Sequence, residues 1–267
     1  MSVIGLEDRS VVAVSGPDAR GFLQGLVTND IEKLKPGRAL YAALLSPQGK
    51  ILFDFLLAEG DGAILIDCTA ASRDSLIKRL AMYRLRAKVQ IEPREQLAVL
   101  AGFEAPPSER GVVFEDPRLA ALGFRTIGAR AELPAPAHAS SSYHDRRLQL
   151  GVPEGADFGL ERIFALDGGL DELRAVDFEK GCYVGQELTA RMKHRGTARK
   201  RLLPVEGPQG LAADVELRAG AHMIGEVVSV YGKRGFALVR LDRLEEAAGS
   251  PIEANGVGVS VTKPSWL

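Results

Sequence analysis

In SVVAVSGPDARGFLQGLVTND the hydrophobic pattern changes from strand-like to helical. The apolar run stops at the turn Ser15-Gly16; Pro17, suited to the first position of a helix, then precedes Phe22, Leu23 and Leu26 on one face. The next apolar runs, ALYAALLS, KILFDFLLA and AILIDCT, are separated by Pro47-Gln48-Gly49 and by Glu59-Gly60-Asp61-Gly62, the punctuation of an antiparallel meander. ASRDSLIKRLAMYRLRA follows with Leu76, Ile77, Leu80 and Tyr83 at helical spacing, and KVQIEP and QLAVLAG return to strand character. Arg79, Arg84, Arg86 and Lys88 gather towards the C-terminal end of that helix, where the macrodipole favours cations.

Between Glu104 and Ser142 the chain turns rich in Pro, Ala and Gly, as in ELPAPAHASSS, which reads as a surface connection between lobes. YHDRRLQLG starts a new helix, and after Ala198 come the turn-bounded strands RLLPVE, VELRAG, IGEVVSVYG, FALVRL and VGVSVTK of a small β-barrel or sandwich. The pattern predicts an α+β chain with a body over residues 1–195 and a β-rich domain over 196–267.

Composition adds limits. The 267 residues are 46% hydrophobic and 26% charged, which suits a folded globular chain and excludes wholesale disorder. Thirty-four basic against thirty-five acidic residues leave a net charge of −1, so nucleic-acid binding would need a local patch. Charge is nevertheless blocked: eight acids lie between Glu154 and Glu179, and six bases without an acid between Arg191 and Arg201, so the blocks can neutralise each other. Only Cys68 and Cys182 are present, and MSVIGLEDRS has neither a basic nor an apolar leader pattern, which points to a cytoplasmic protein with free thiols. No apolar run approaches the roughly 18–20 residues of a membrane helix.

The candidate chemistry concentrates in KGCYVGQE, Lys180 to Glu187. Its glycines allow close backbone approach to a ligand, and Lys180, two residues from Cys182, would favour the thiolate. The same spacing suits a tight turn over a small buried side chain. Cys68, inside AILIDCT, reads as core. P-loop, Rossmann, nucleophile-elbow and zincin motifs are absent, and His138, His144, His194 and His222 share no metal-ligand spacing. ARMKHRGTARKR could hold phosphate or form a solvated face, and it lacks the aromatics that stack single-stranded bases.

KGCYVGQE resembles the signature of the YgfZ family, folate-binding relatives of the glycine-cleavage T-protein. FLQGLVTNDIEKL, GRALYAALLSPQGKILFDF, YRLRAKV and RRLQLGVPEG are similar to other segments of that family, so the resemblance spans nearly the whole chain. It implies a T-protein-like folate-binding body of mixed helices and antiparallel sheets with a C-terminal small β-barrel. It also implies a tetrahydrofolate-dependent role in assembly or repair of [4Fe–4S] proteins, including cluster enzymes that modify tRNA. Partners would be iron–sulfur carriers or clients, with a weak tRNA contact through Arg191–Arg201. On this resemblance Cys182 is the functional thiol poised by Lys180; Gly181 and Gly185 shape the loop; Gln186 and Glu187 hydrogen-bond loop or ligand. Tyr41, Asp54 and Arg147 become folate contacts, Arg147 meeting the acidic tail. Aminomethyltransferases carry two adjacent acids where this chain has Phe53-Asp54, so independent transferase turnover is not implied.

Overall fold

The computed structural model describes residues 3–196, 199–208 and 211–267, and the chain divides into two compact units that interleave along the sequence. The first is built from residues 3–45, 52–146 and 173–184, the second from 46–51, 147–172 and 185–267.

In the first unit a five-stranded sheet has the order Leu40–Leu45, Ile51–Gly60, Ala63–Thr69, Arg9–Ser15, Gln90–Pro93. The three apolar runs are thus neighbours, as a meander requires. Gly60 pairs with Ala63 across a two-residue loop in which Asp61 (φ 56°) and Gly62 (φ 69°) are both left-handed, the geometry that matches the twist of a hairpin. Arg73–Tyr83 is helical and buries Leu76 and Leu80. It ends at Tyr83, so Arg84, Arg86 and Lys88 lie beyond its last turn, which corrects their expected place on the helix. The first helix, Ala19–Gln24, is likewise shorter than its pattern, with Asp18 as N-cap and Pro17 ahead of it.

A second sheet of the same unit has the order Ile4–Gly5, Leu97–Gly102, Phe124–Ala129, Val112–Glu115, all antiparallel. Two of its strands therefore lie inside the stretch read as a surface connection. Val112–Glu115 and Phe124–Ala129 are short, and Phe114 and Ile127, with Leu122 in the turn between them, carry the buried large apolar side chains, too few positions to register against the surrounding Pro and Gly.

The second unit holds the helices Ser140–Gln149, in its C-terminal part, and Gln186–Arg195, together with a seven-stranded sheet whose strands all lie between Lys200 and Val261. Lys200–Glu206, His222–Tyr231 and Arg234–Arg240 form its antiparallel centre, closed over Leu203, Val205, Leu217, Val227, Ala237 and Val239.

Candidate functional site

The segment 174–184 is laced to residues 24–33 by hydrogen bonds that join distant parts of the sequence. Thr28 Oγ1 donates to the Ala175 carbonyl at 2.6 Å, Asn29 Nδ2 to the Arg174 carbonyl at 2.8 Å, and the Asp177 amide to the Thr28 carbonyl at 3.0 Å. Lys33 pairs with Asp177. Lys180 is buried, and its ammonium donates to the carbonyls of Gln24, Val27 and Asn29 at 2.9, 2.6 and 2.8 Å. The Tyr183 ring lies 5.2 Å from the same nitrogen. Burial pushes Lys180 down to about 8, against the pull of Asp30 and Asp177.

Between these buried anchors Gly181 and Cys182 stand exposed, and Cys182 is a free thiol. The donors of Lys180 are thus engaged by carbonyls, and these bonds anchor the backbone on the N-terminal side of Cys182. Cys68 is fully buried, and burial pushes its thiol up to about 12, as befits core. Gly185, Gln186 and Glu187 of KGCYVGQE fall in the second unit. Gly185 caps the helix at φ 82° and accepts a hydrogen bond from Thr189, Gln186 is half-buried in the first turn, and exposed Glu187 pairs with Arg191 one turn on rather than with the loop.

Tyr41 and Asp54 do come together: the buried hydroxyl donates to the carboxylate at 3.0 Å, with the Arg118 guanidinium 5.4 Å from the Tyr41 ring. Asn29 Nδ2 also donates to the Tyr41 carbonyl, tying this pair to the turn that holds Lys180. Phe53, beside Asp54 in the chain, is packed into the apolar core. Sequence reasoning missed the buried network next to it. Arg118 pairs with Asp116, Arg125 with Asp67 and Asp116, Arg9 with Asp67, and Tyr143 accepts from both Arg118 and Arg125. Its sequence signal was a single charge inside each of the apolar strands AILIDCT and FRTIGA.

Arg147 requires a correction. Its side chain is 1% exposed, and the guanidinium donates to Asp157 at 2.6 Å and to the Val152 carbonyl at 3.1 Å, with Glu154 at 3.5 Å. Asp157 also accepts from Ser229. Two buried carboxylates already neutralise this cation, so a folate tail would have to displace them.

The two charge blocks do meet. Lys193 pairs with Asp171, and Arg201 with Glu172 and the Leu166 carbonyl. With Arg191 on Glu187, half of the basic run is engaged within the second unit; exposed Arg199 and Lys200 remain, and the Arg195 side chain lies outside the described residues. Burial and the neighbouring Asp171 raise Glu172 from 4.5 to about 7. Folded protein therefore keeps a proton that unfolded chain has lost, so this group's contribution to stability is full below about pH 4.5 and is lost as pH rises through about 7. Glu172→Gln, which mimics the protonated acid, should flatten that decline and raise the thermal midpoint at pH 8. A pH series of melting curves checks this; a lower midpoint at pH 8 would refute it.

Mixed helices and antiparallel sheets with a nearly closed C-terminal barrel define the aminomethyltransferase type of fold. The structure superposes on the glycine cleavage system aminomethyltransferase T from Bartonella henselae with a TM-score of 0.76, covering 100% of this chain and 86% of that one at 18% identity. Residues 3–109 match the GCVT N-terminal domain family, and residues 199–267 the CAF17 C-terminal beta-barrel domain family. Over 98% of its length the chain is 35% identical to the iron-sulfur cluster assembly factor IBA57, mitochondrial, of Mus musculus, covering 84% of that protein. The human protein of the same name is 32% identical at the same coverage. The chain belongs to the CAF17/IBA57 family. These relatives are mitochondrial by name, which overturns the cytoplasmic expectation; that reading rested on the two cysteines and the first ten residues.

Proposed function

We propose that this protein is a YgfZ-type accessory factor in the assembly or repair of [4Fe–4S] proteins, with Cys182 as its contact to a cluster or to a partner's thiol. The observation that carries this reading is an exposed free thiol on a backbone fixed on both sides, by Lys180 and by buried Tyr183. The names of the mouse and human relatives support it. Among the described residues no three His, Cys, Asp or Glu side chains converge as a metal set, so a cluster meeting Cys182 takes its other ligands from a partner. Carriers and client proteins of such clusters are the partners, enzymes that modify tRNA among the clients. Direct tRNA contact through Arg191–Arg201 is the weaker reading, because three of its bases hold carboxylates of this chain.

Tetrahydrofolate is the ligand proposed for the Tyr41–Asp54 pair, because a carboxylate can accept from the amide and amino edge of a pterin. The fit is partial, since Arg147 does not supply the cation for the tail. Aminomethyl transfer is disfavoured: Phe53 leaves Asp54 without the adjacent acid.

In cells lacking the native protein, Cys182→Ser is expected to leave [4Fe–4S] enzyme activities depressed; full complementation would sink the thiol role. Anaerobic calorimetry with tetrahydrofolate should show saturable binding, weakened about tenfold or more by Asp54→Asn. Equal binding by that variant would remove the pterin contact.

A further inference from the structure

The first unit carries a rigid basic projection that the function above does not use. The helix Arg73–Tyr83 ends through Arg84, and the next residue, Leu85, takes φ 42°. This is the left-handed position after a helix, where glycine is at no disadvantage and a side chain with a Cβ is strained. Leu85 recovers nothing by packing, because it is 89% exposed, and Met82 on the preceding turn is 69% exposed. Neither backbone preference nor burial accounts for a leucine here.

The charged side chains of this stretch of chain carry one sign, and Asp18 faces it from outside. Lys78, Arg79, Arg84, Arg86 and Lys88 fall between Asp74 and Glu92 with no acid among them. Among the described residues, none of the five side chains pairs with a carboxylate. The turn is nevertheless fixed. Asp18 accepts the Lys88 amide at 2.7 Å, the Ala87 amide donates to the Arg84 carbonyl at 2.7 Å, and a Cβ on Gly16 would stand 2.3 Å from the Lys88 carbonyl oxygen. Beside the projecting leucine, Gly16, Pro17 and residues 84–90 line a hollow of about 520 Å³.

We propose that this projection is a docking surface for an acidic segment of a partner protein that also carries apolar side chains. Charge complementarity selects the sign of the partner: five cations whose side chains hold no carboxylate, on a chain of net charge −1, form a local attractor for carboxylates. Leu85 supplies the apolar anchor, held out in advance so that little ordering cost falls on binding. The adjoining hollow receives a side chain from the partner, and this pairing of knob and hollow favours protein over a membrane, which needs only a convex tip. Nucleic acid is disfavoured because no exposed residue between 78 and 90 is aromatic. Strain tolerated at an exposed, preorganised residue is what a binding function would retain.

The test uses the full chain and a fluorescein-labelled helical peptide about five turns long, with glutamates on one face and leucines on the other. A lysine-for-glutamate version, phosphatidylserine vesicles and a single-stranded oligouridine serve as the other probes. The acidic peptide should bind saturably, and more weakly as salt rises. The double variant Arg84→Glu/Arg86→Glu should weaken it about tenfold or more. Leu85→Gly is the decisive variant: it should weaken the peptide several-fold while raising the melting temperature by about 2 °C, because the strain is relieved. A residue that merely ends the helix would leave binding unchanged. The proposal is overturned if the acidic peptide does not bind, if binding ignores these substitutions, or if only vesicles or RNA bind through the same residues.

Discussion

Arg147→Ala should cost about 3–5 kcal/mol of folding stability, the cost of removing one partner from a buried ion pair. The side chain sits at 1% exposure with Asp157 at 2.6 Å and Glu154 at 3.5 Å. Alanine leaves both carboxylates in place without their cation and empties the volume that lies 5.3 Å from the Tyr231 ring. Ser229 and the Glu154 amide still donate to Asp157, so part of its need is met, which keeps the loss within that range. Arg147→Lys retains the charge but not the fork, and should recover only part of the deficit. Denaturant unfolding of the three proteins at one pH measures the series. A loss under about 1 kcal/mol for alanine would show the pairs to be dispensable and return Arg147 to the list of ligand contacts.

How much could be read in advance follows from the range of each interaction. Apolar alternation and helical spacing are local, and they located the meander, the helix carrying Leu76 and Leu80, and the strands after residue 198. They failed where a few positions do the work, as in Val112–Glu115 and Phe124–Ala129. They failed again for buried charge: a lone Asp67 or Arg125 in an apolar strand looks like a solvent-facing position until its partner arrives from another strand. Cys182 stood out because glycines surround it, and its exposure agrees with that. The destination of Lys180 was not legible, because its three acceptors lie more than 150 residues away in the chain and are backbone groups with no residue type of their own.

Those acceptors make Lys180 the other large effect. Lys180→Met keeps the length and the apolar stem and removes only the three charge-assisted hydrogen bonds to Gln24, Val27 and Asn29. Each such bond contributes about 1.5–3 kcal/mol, and relief from burying an ammonium offsets part of the total, so a net loss of about 2–4 kcal/mol is expected. The loss should be local as well as global. Hydrogen exchange at the Asp177 amide, which now donates to the Thr28 carbonyl, should quicken in the variant before the sheets respond. The dependence on pH reports how far burial of the ammonium outweighs the carbonyls that hold it. Folded protein releases the Lys180 proton at about 8 and unfolded chain at 10.5, so the contribution of this group to stability rises as pH climbs through that interval and is constant below it. The stability gap between the native protein and Lys180→Met should therefore widen from pH 7 to pH 9. A constant gap would mean that the carbonyls of Gln24, Val27 and Asn29 compensate the buried ammonium in full.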